Sequence, residues 1–499
     1  MIIGSFIFSL HIPLLIDFPN HLARMYLNHN LDQLPYSQTF YYRKFAFVPY
    51  LGMDVLFDFF LRFFDIYTVG KILIVLSMVG IVASVLYLSK VIHGRYETST
   101  FLVYTVIFNA VLYWGFINYY ITIPMTIAIV AVWIQFENKK YKQLLIFFVL
   151  SQILYFAHLL AFLMLVLIIG TYEVQKNNFS LIKSIKKIIQ LSVYFLACCI
   201  IPIVNFILVD KLLDSGYYAP LRLGKLVDKL YALLSPFYFG SFIIAGLFIF
   251  LFAIAYLNKT LILKKNHFLI LMLFLFSLLM PRNFNGVFGL HLRLPIITAI
   301  LFFTMSRFNA YSQLKIRVSK YALCGFTAFV MIFYAQDLRK SDQFAIAYIN
   351  SLKLIPSGAR ILVITHEYKL LGYHIWRLYH IQSLAVIERQ AFEPTLFNNM
   401  PPIQTKPQYI PSSNLVGIAP NDKLFVLSEI FPQQISQVIG KNFYWKNWPR
   451  DYDYIDYIHG KTKIDLGSRV GKLKIIYQDS LHTIYQINPF LTPTRSAVE

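Results

Sequence analysis

The chain has 499 residues, of which 58% are hydrophobic and only 14% charged, and its mean hydropathy is +0.58. Soluble domains carry roughly 25% charged residues, so the polar surface needed to cover a water-soluble sphere is missing. A formal charge of +21 would suit nucleic acid, but the basic residues are distributed as a topology signal. The three cysteines, Cys198, Cys199 and Cys324, lie in apolar runs; they make neither a disulfide framework nor a zinc site and read as small buried hydrophobes.

The sequence predicts an α-helical polytopic membrane protein, with apolar runs at 1–16, 69–90, 99–117, 119–136, 144–157, 158–174, 188–209, 238–257, 267–281, 294–306 and 321–336. That is about eleven transmembrane helices, although several runs fall short of the roughly 20 residues a span normally needs. The pairs around Gly115 and His158 could therefore be shallow hairpins. The first run has no basic start and no small-residue cleavage site, so it reads as a retained helix.

Every second loop is short and basic: Lys90 and Arg95; Lys139, Lys140 and Lys142; Lys176, Lys183, Lys186 and Lys187; Lys259, Lys264 and Lys265; Arg307, Lys315, Arg317 and Lys320. The positive-inside rule makes these loops cytoplasmic, which puts the N-terminus inside and everything after the last span outside. Much of the charge is then explained by topology and by contact with anionic lipid. On the opposite side lie a long first outer loop, 17–68, a second at 210–237 and a compact third at 282–293. Beyond about 340 the hydropathy falls, and short β-branched runs at 360–365, 384–388, 424–427 and 473–477 suggest strands of a small extracytoplasmic α/β domain. The predicted division is thus a transmembrane domain, 1–338, and a soluble domain, 339–499.

No span carries an acid at its centre, which argues against an ion-coupled transporter. The acids cluster at the outer rim. Asp17 stands out within Ile16-Asp17-Phe18-Pro19-Asn20-His21-Leu22-Ala23-Arg24. Pro19 suits the first turn of a helix. In that helix Asp17, His21 and Arg24, spaced i, i+4 and i+7, share one face. A carboxylate, an imidazole and a guanidinium would then converge on one pocket; the alternative is that Asp17 merely caps the helix while His21 and Arg24 meet lipid phosphates. Asn118 and Tyr119 in the turn after Gly115, His158, Arg222, Arg282, His291 and Arg293 fall on the same predicted side. Each alone reads as an interface anchor or a packing residue; together they would suit a phosphate-bearing lipid. No GxxxxGK[ST] loop, HExxH or CxxC is present.

This architecture resembles the GT-C superfamily of membrane glycosyltransferases, which use polyprenyl- or dolichyl-phosphate sugars. Asp17 occupies the position of the superfamily's catalytic acid, and 17–68 resembles its first outer loop with interfacial helices. A closer similarity is to a family of bacterial multipass proteins of uncharacterised function. These share Pro-Asn-His-Leu-Ala-Arg after the first span, Trp-Gly-Phe-x-Asn-Tyr before the fourth, a His opening the sixth and Arg-Leu-Pro at 293–295. In the tail they share the stretch seen here at 384–397. Where that family often has an acid before the Arg of the late outer loop, this chain has His291 and Leu292.

The resemblance implies an inverting transfer of a sugar from a polyprenyl-phosphate-linked donor to a lipid, glycan or protein acceptor at the outer face of the plasma membrane. Asp17 would be the general base and His21 would orient it or the acceptor. Arg24, Arg282, Arg293 and Arg222 would bind the donor phosphate. Asn20, Asn118, Tyr119, His158 and His291 would line the substrate pocket. No cofactor is expected, with a divalent metal compatible only with a diphosphate donor, and no nucleic-acid partner. The alternative is a non-catalytic transporter or assembly partner for lipid-linked saccharides, binding through the same basic rim.

Overall fold

The computed structural model describes residues 2–45, 48, 50–176, 198–204, 221–263, 266–284, 287–309, 314–366, 375–397, 402–413, 420, 422–430, 443–460, 465–466 and 473–487. The chain divides into two compact units. One comprises Met1–Ser9, Phe47–Phe59 and Thr68–Asp337, and the other Leu10–Ala46, Phe60–Tyr67 and Leu338–Glu499. The second gathers most of residues 17–68 with the C-terminal third of the chain.

The first unit is a multipass helical membrane body. Among the described residues four helices are long and apolar enough to cross a bilayer: Ile66–His93, Ile117–Gln135, Leu159–Lys176 and Tyr321–Leu352. Shorter apolar helices lie at Thr98–Tyr113, Phe242–Leu257, His267–Leu279 and Leu290–Met305. Large apolar side chains such as Leu76, Val79, Ile243, Phe250, Leu257 and Ile332 are exposed, as lipid-facing positions should be. The chain turns at both expected hairpins, but Ile117–Gln135 and Leu159–Lys176 are each long enough to cross a bilayer, so the expectation of shallow pairs is corrected. His158 interrupts the helices Lys140–Ala157 and Leu159–Lys176 with an extended backbone, φ −168°. Gly115, at φ 76°, turns the chain between the helices Ala110–Tyr113 and Ile117–Tyr120, a conformation that favours glycine. Much of the apolar run at 188–209, the tip of the second outer loop and the lysines Lys183, Lys186, Lys187, Lys264 and Lys265 lie outside the described residues. Of the cysteines, Cys198 is buried, Cys199 half-buried and Cys324 exposed, so the expectation that all three are buried holds for Cys198 alone.

The expected first span is corrected in one respect: it is helical only over Ile2–Ser9. Pro13 disfavours helix at the residue before it and donates no hydrogen bond itself. Ile12–Ile16 are nonetheless buried. The Ile12 backbone N–H is satisfied by Asp342 Oδ1 at 2.7 Å, so this non-helical stretch does not carry an orphaned donor there.

The second unit is an α/β assembly. Its sheet runs in the order Ile361–Thr365, Tyr454–Ile458, His482–Ile487, Leu473–Gln478. The first pair is parallel and the other two antiparallel. Two expected strands are helices instead: 384–388 lies in Leu384–Arg389 and 424–427 in Asp422–Ile430. Short apolar runs do not separate strand from buried helix by periodicity. The core joins Ala23, Leu27, Leu31 and Phe40 to Leu362, Ile364, Val386, Phe392, Ile455 and Tyr457. The short strand Tyr41–Arg43 pairs antiparallel with Ile403–Thr405. At Gly358, φ 79°, a Cβ would fall 2.6 Å from Cδ1 of Tyr36, so this turn requires glycine twice over.

Candidate active site

In the second unit the helix Phe18–Asn30 starts at Asp17, with Pro19 in its first turn. Asp17 occupies the N-cap position, but its side chain makes no capping hydrogen bond. The capping reading therefore fails on its own terms, because a cap contributes through that bond. The carboxylate faces an imidazole: His380 Nε2 lies 3.5 Å from Asp17 Oδ1, with His380 3% and Asp17 15% exposed at the side chain. His380 was not marked out by the sequence, since it stands alone between an apolar run and a family-specific stretch without an assigned role.

Asn20 is fully buried and makes three contacts. Its Oδ1 accepts from the Phe397 N–H at 2.7 Å, its Nδ2 donates to the Thr395 carbonyl at 3.0 Å, and the same Nδ2 lies 3.3 Å from His380 Nδ1. The stretch 384–397 thus supplies backbone partners to the Pro-Asn-His stretch. His21 stacks edge-on against Phe397, ring centroids 5.6 Å apart, and Phe397 in turn meets the His380 ring at 5.0 Å. Burial, aided by the Arg24 charge, lowers the His21 pKa to about 3. His21 is therefore a neutral ring, and its Nδ1 has no hydrogen-bond partner among the described residues. Arg24, one turn further, is half-buried. The structure brings Asp17, Asn20, His21 and Arg24 onto one short helix, but the imidazole in contact with Asp17 is His380.

Behind this group sits Glu393, 1% exposed. Its Oε1 accepts from the Thr395 N–H at 2.9 Å and from the Thr395 hydroxyl, and Ser383 donates to Oε2 at 3.4 Å. Burial pushes its pKa up to about 7 against these hydrogen bonds, which act the other way.

In the first unit a second group forms. The guanidinium of Arg293 lies over the rings of Phe116 at 5.0 Å and Tyr119 at 5.2 Å. Its Nη1 is 3.5 Å from His158 Nε2. His158 is buried, and its Nδ1 accepts from the Leu160 N–H at 3.2 Å, which puts the ring proton on Nε2. Nε2–H and the guanidinium are then both donors, an arrangement suited to an oxyanion rather than to each other. Tyr50 closes on His158 with ring centroids 4.9 Å apart. Beside it Gly52 lets two helices touch, since a Cβ there would lie 2.7 Å from Ala157 Cα.

The remaining candidates have other partners. Arg282 Nη1 donates to Asp228 Oδ1 at 3.0 Å and its guanidinium lies over Phe288. Arg222 is exposed and is tied through its backbone to Arg282 and Asn283. Asn118 accepts from the Tyr119 N–H at 2.9 Å. His291 is buried, with Nδ1 lacking a hydrogen-bond partner among the described residues. Among the described residues no three His, Cys, Asp or Glu side chains are grouped to hold a metal ion.

No family model matches the chain, and no curated protein sequence matches it. Two solved structures are similar to it over nearly their whole length. ArnT from Cupriavidus metallidurans in the apo state has a TM-score of 0.50 at 9% identity, covering 98% of this chain and 97% of that one. The same protein bound to undecaprenyl phosphate has a TM-score of 0.51 at 10% identity, with 98% and 97% covered. At such identity the likeness is one of fold.

Proposed function

We propose that the chain is a membrane glycosyltransferase that moves a sugar from a polyprenyl-phosphate-linked donor to an acceptor hydroxyl at the outer face of the membrane, with inversion. The observation that carries this reading is the Asp17 carboxylate. It is largely buried, released from helix capping and held against His380 at 3.5 Å, in a fold like that of a protein solved with undecaprenyl phosphate. Asp17 takes the proton from the acceptor hydroxyl as that oxygen bonds to the anomeric carbon. The bond from that carbon to the phosphate oxygen breaks, and its electron pair leaves with the phosphate. One displacement inverts the centre, and the leaving phosphate needs no acid, unlike an alkoxide in glycoside hydrolysis.

Phosphate charge is met by cations and N–H donors. Beside Asp17, Arg24 fits this role by its position one turn after His21; in the first unit, Arg293 with His158 makes the donor pair described above, suited to an oxyanion. Asn20 and His21, on the helix that Asp17 opens, are the proposed pocket residues beside it. The test is a transfer assay on the purified chain with polyprenyl-phosphate sugars, together with the Asp17→Asn variant. Asparagine is nearly as good a cap but accepts no proton, so the rate should fall by roughly 10²–10⁴-fold. A fully active Asp17→Asn protein overturns the catalytic assignment.

A further inference from the structure

We propose that His380, from the C-terminal region, is a positioning residue for Asp17, with its tautomer set by Asn20. This rests on Asp17 being the base and goes beyond it, because it makes residues 379–397 part of the catalytic apparatus.

The argument starts from the Asn20 amide. Its oxygen and nitrogen are told apart by two backbone partners: the Phe397 N–H must meet the oxygen, and the Thr395 carbonyl must meet the NH2. The second amide hydrogen then faces His380 Nδ1 at 3.3 Å, so Nδ1 is the acceptor. A neutral imidazole that accepts at Nδ1 carries its hydrogen on Nε2, the atom 3.5 Å from Asp17 Oδ1. Burial, with His21 nearby, lowers the His380 pKa to about 3, so the ring stays neutral. A donor aimed at a carboxylate favours its ionised form, which is the form a base needs, and holds it in one orientation. From the C-terminal region, Tyr379 feels the Asp17 charge and His380 meets its Oδ1, while His21 and Arg24 lie on the helix that Asp17 opens. Tyr379 stacks edge-on with His380 at 4.7 Å. The Asn20 amide itself is held by the same strip of chain that Glu393 braces through Thr395.

The experiment uses the full-length protein with polyprenyl-phosphate sugar donors and compares His380→Gln, His380→Asn and His380→Leu. A glutamine amide reaches the place of Nε2 and can keep a donor toward Asp17; asparagine reaches only the place of Nδ1, and leucine neither. The expected result is a kcat loss in the Asn and Leu variants of up to about a hundredfold, with donor KM unchanged. Their acid limb should move to higher pH by about one unit, and His380→Gln should recover most of both. Wild-type rate and limb in His380→Asn, with Asp17→Asn inactive, overturns the positioning role alone. An active Asp17→Asn overturns the base and the positioning role together. Equal losses in all three variants with an unmoved acid limb mark a purely structural histidine and also overturn the proposal. Should the leucine variant fail to fold, the Gln and Asn pair decides by the same readouts.

Discussion

Arg282 donates to Asp228 across 3.0 Å, so its charge is already met within its own unit. Arg293 donates to the Phe288 carbonyl at 3.4 Å, with two aromatic faces and His158 Nε2 also around its guanidinium. The two arginines, equivalent in the sequence, should therefore behave differently. Arg293→Ala should weaken donor use strongly, and Arg293→Lys should rescue poorly, since an ammonium neither stacks between rings nor presents a planar fork. Arg282→Ala should change donor use less and stability by about 1 kcal/mol or less, as for other half-exposed pairs. Donor titrations on the three purified variants check this; equal losses in Arg282→Ala and Arg293→Ala would refute the distinction.

Glu393 gives a pH signature to stability. Its pKa is raised from 4.5 to about 7 by burial, so between those values the unfolded chain releases a proton that the folded chain keeps. The contribution is present below pH 4.5 and is lost as pH rises toward 7. Across that window it is on the order of 3 kcal/mol. In thermal unfolding in detergent, wild-type protein should lose stability relative to Glu393→Gln from pH 5 to 7, the opposing titration of His21 and His380 being common to both. The same pH dependence in both proteins would remove Glu393 as a source of that loss.

Gly358 offers a test in two steps. Gly358→Ala should destabilise by 1 kcal/mol or more, roughly, from its positive φ and from the contact with Tyr36. Tyr36→Ala should recover only the part due to contact, leaving the backbone strain. Complete rescue in the double variant would show that φ plays no part.

Reporter fusions test the orientation on which the acceptor's location depends. A fusion after Lys140 should read cytoplasmic and one after Asn350 external. A cytoplasmic reading after Asn350 would reverse the assignment of the face at which Asp17 works.

The helical body was legible because hydropathy and basic loops report directly on the solvent, and Pro19 and Gly115 announce their turns locally. Asp17 was legible for a related reason, being an acid at the end of an apolar run. His380 was not, because it meets Asp17 across most of the chain, and a lone histidine has no periodicity to betray it. The helices at Leu384–Arg389 and Asp422–Ile430 were misread as strands because a run of four to six apolar residues is too short to display either period. The early end of the first helix after Ser9 follows from Pro13, a signal that the strong hydropathy of the run outweighed. The pairing of Arg282 with Asp228 needed the fold, since neither residue marks the other along the sequence.

The pairing of Tyr41–Arg43 with Ile403–Thr405 has a consequence for biosynthesis. A ribosome adding about 5–20 residues per second completes the first strand tens of seconds before the second exists. During that interval Leu27, Leu31, Phe40 and Tyr41, all buried in the finished protein, have no core to enter. The nascent loop must be shielded until then, by the lipid surface or by a chaperone. Chains halted before residue 403 should therefore be prime substrates for quality-control proteolysis.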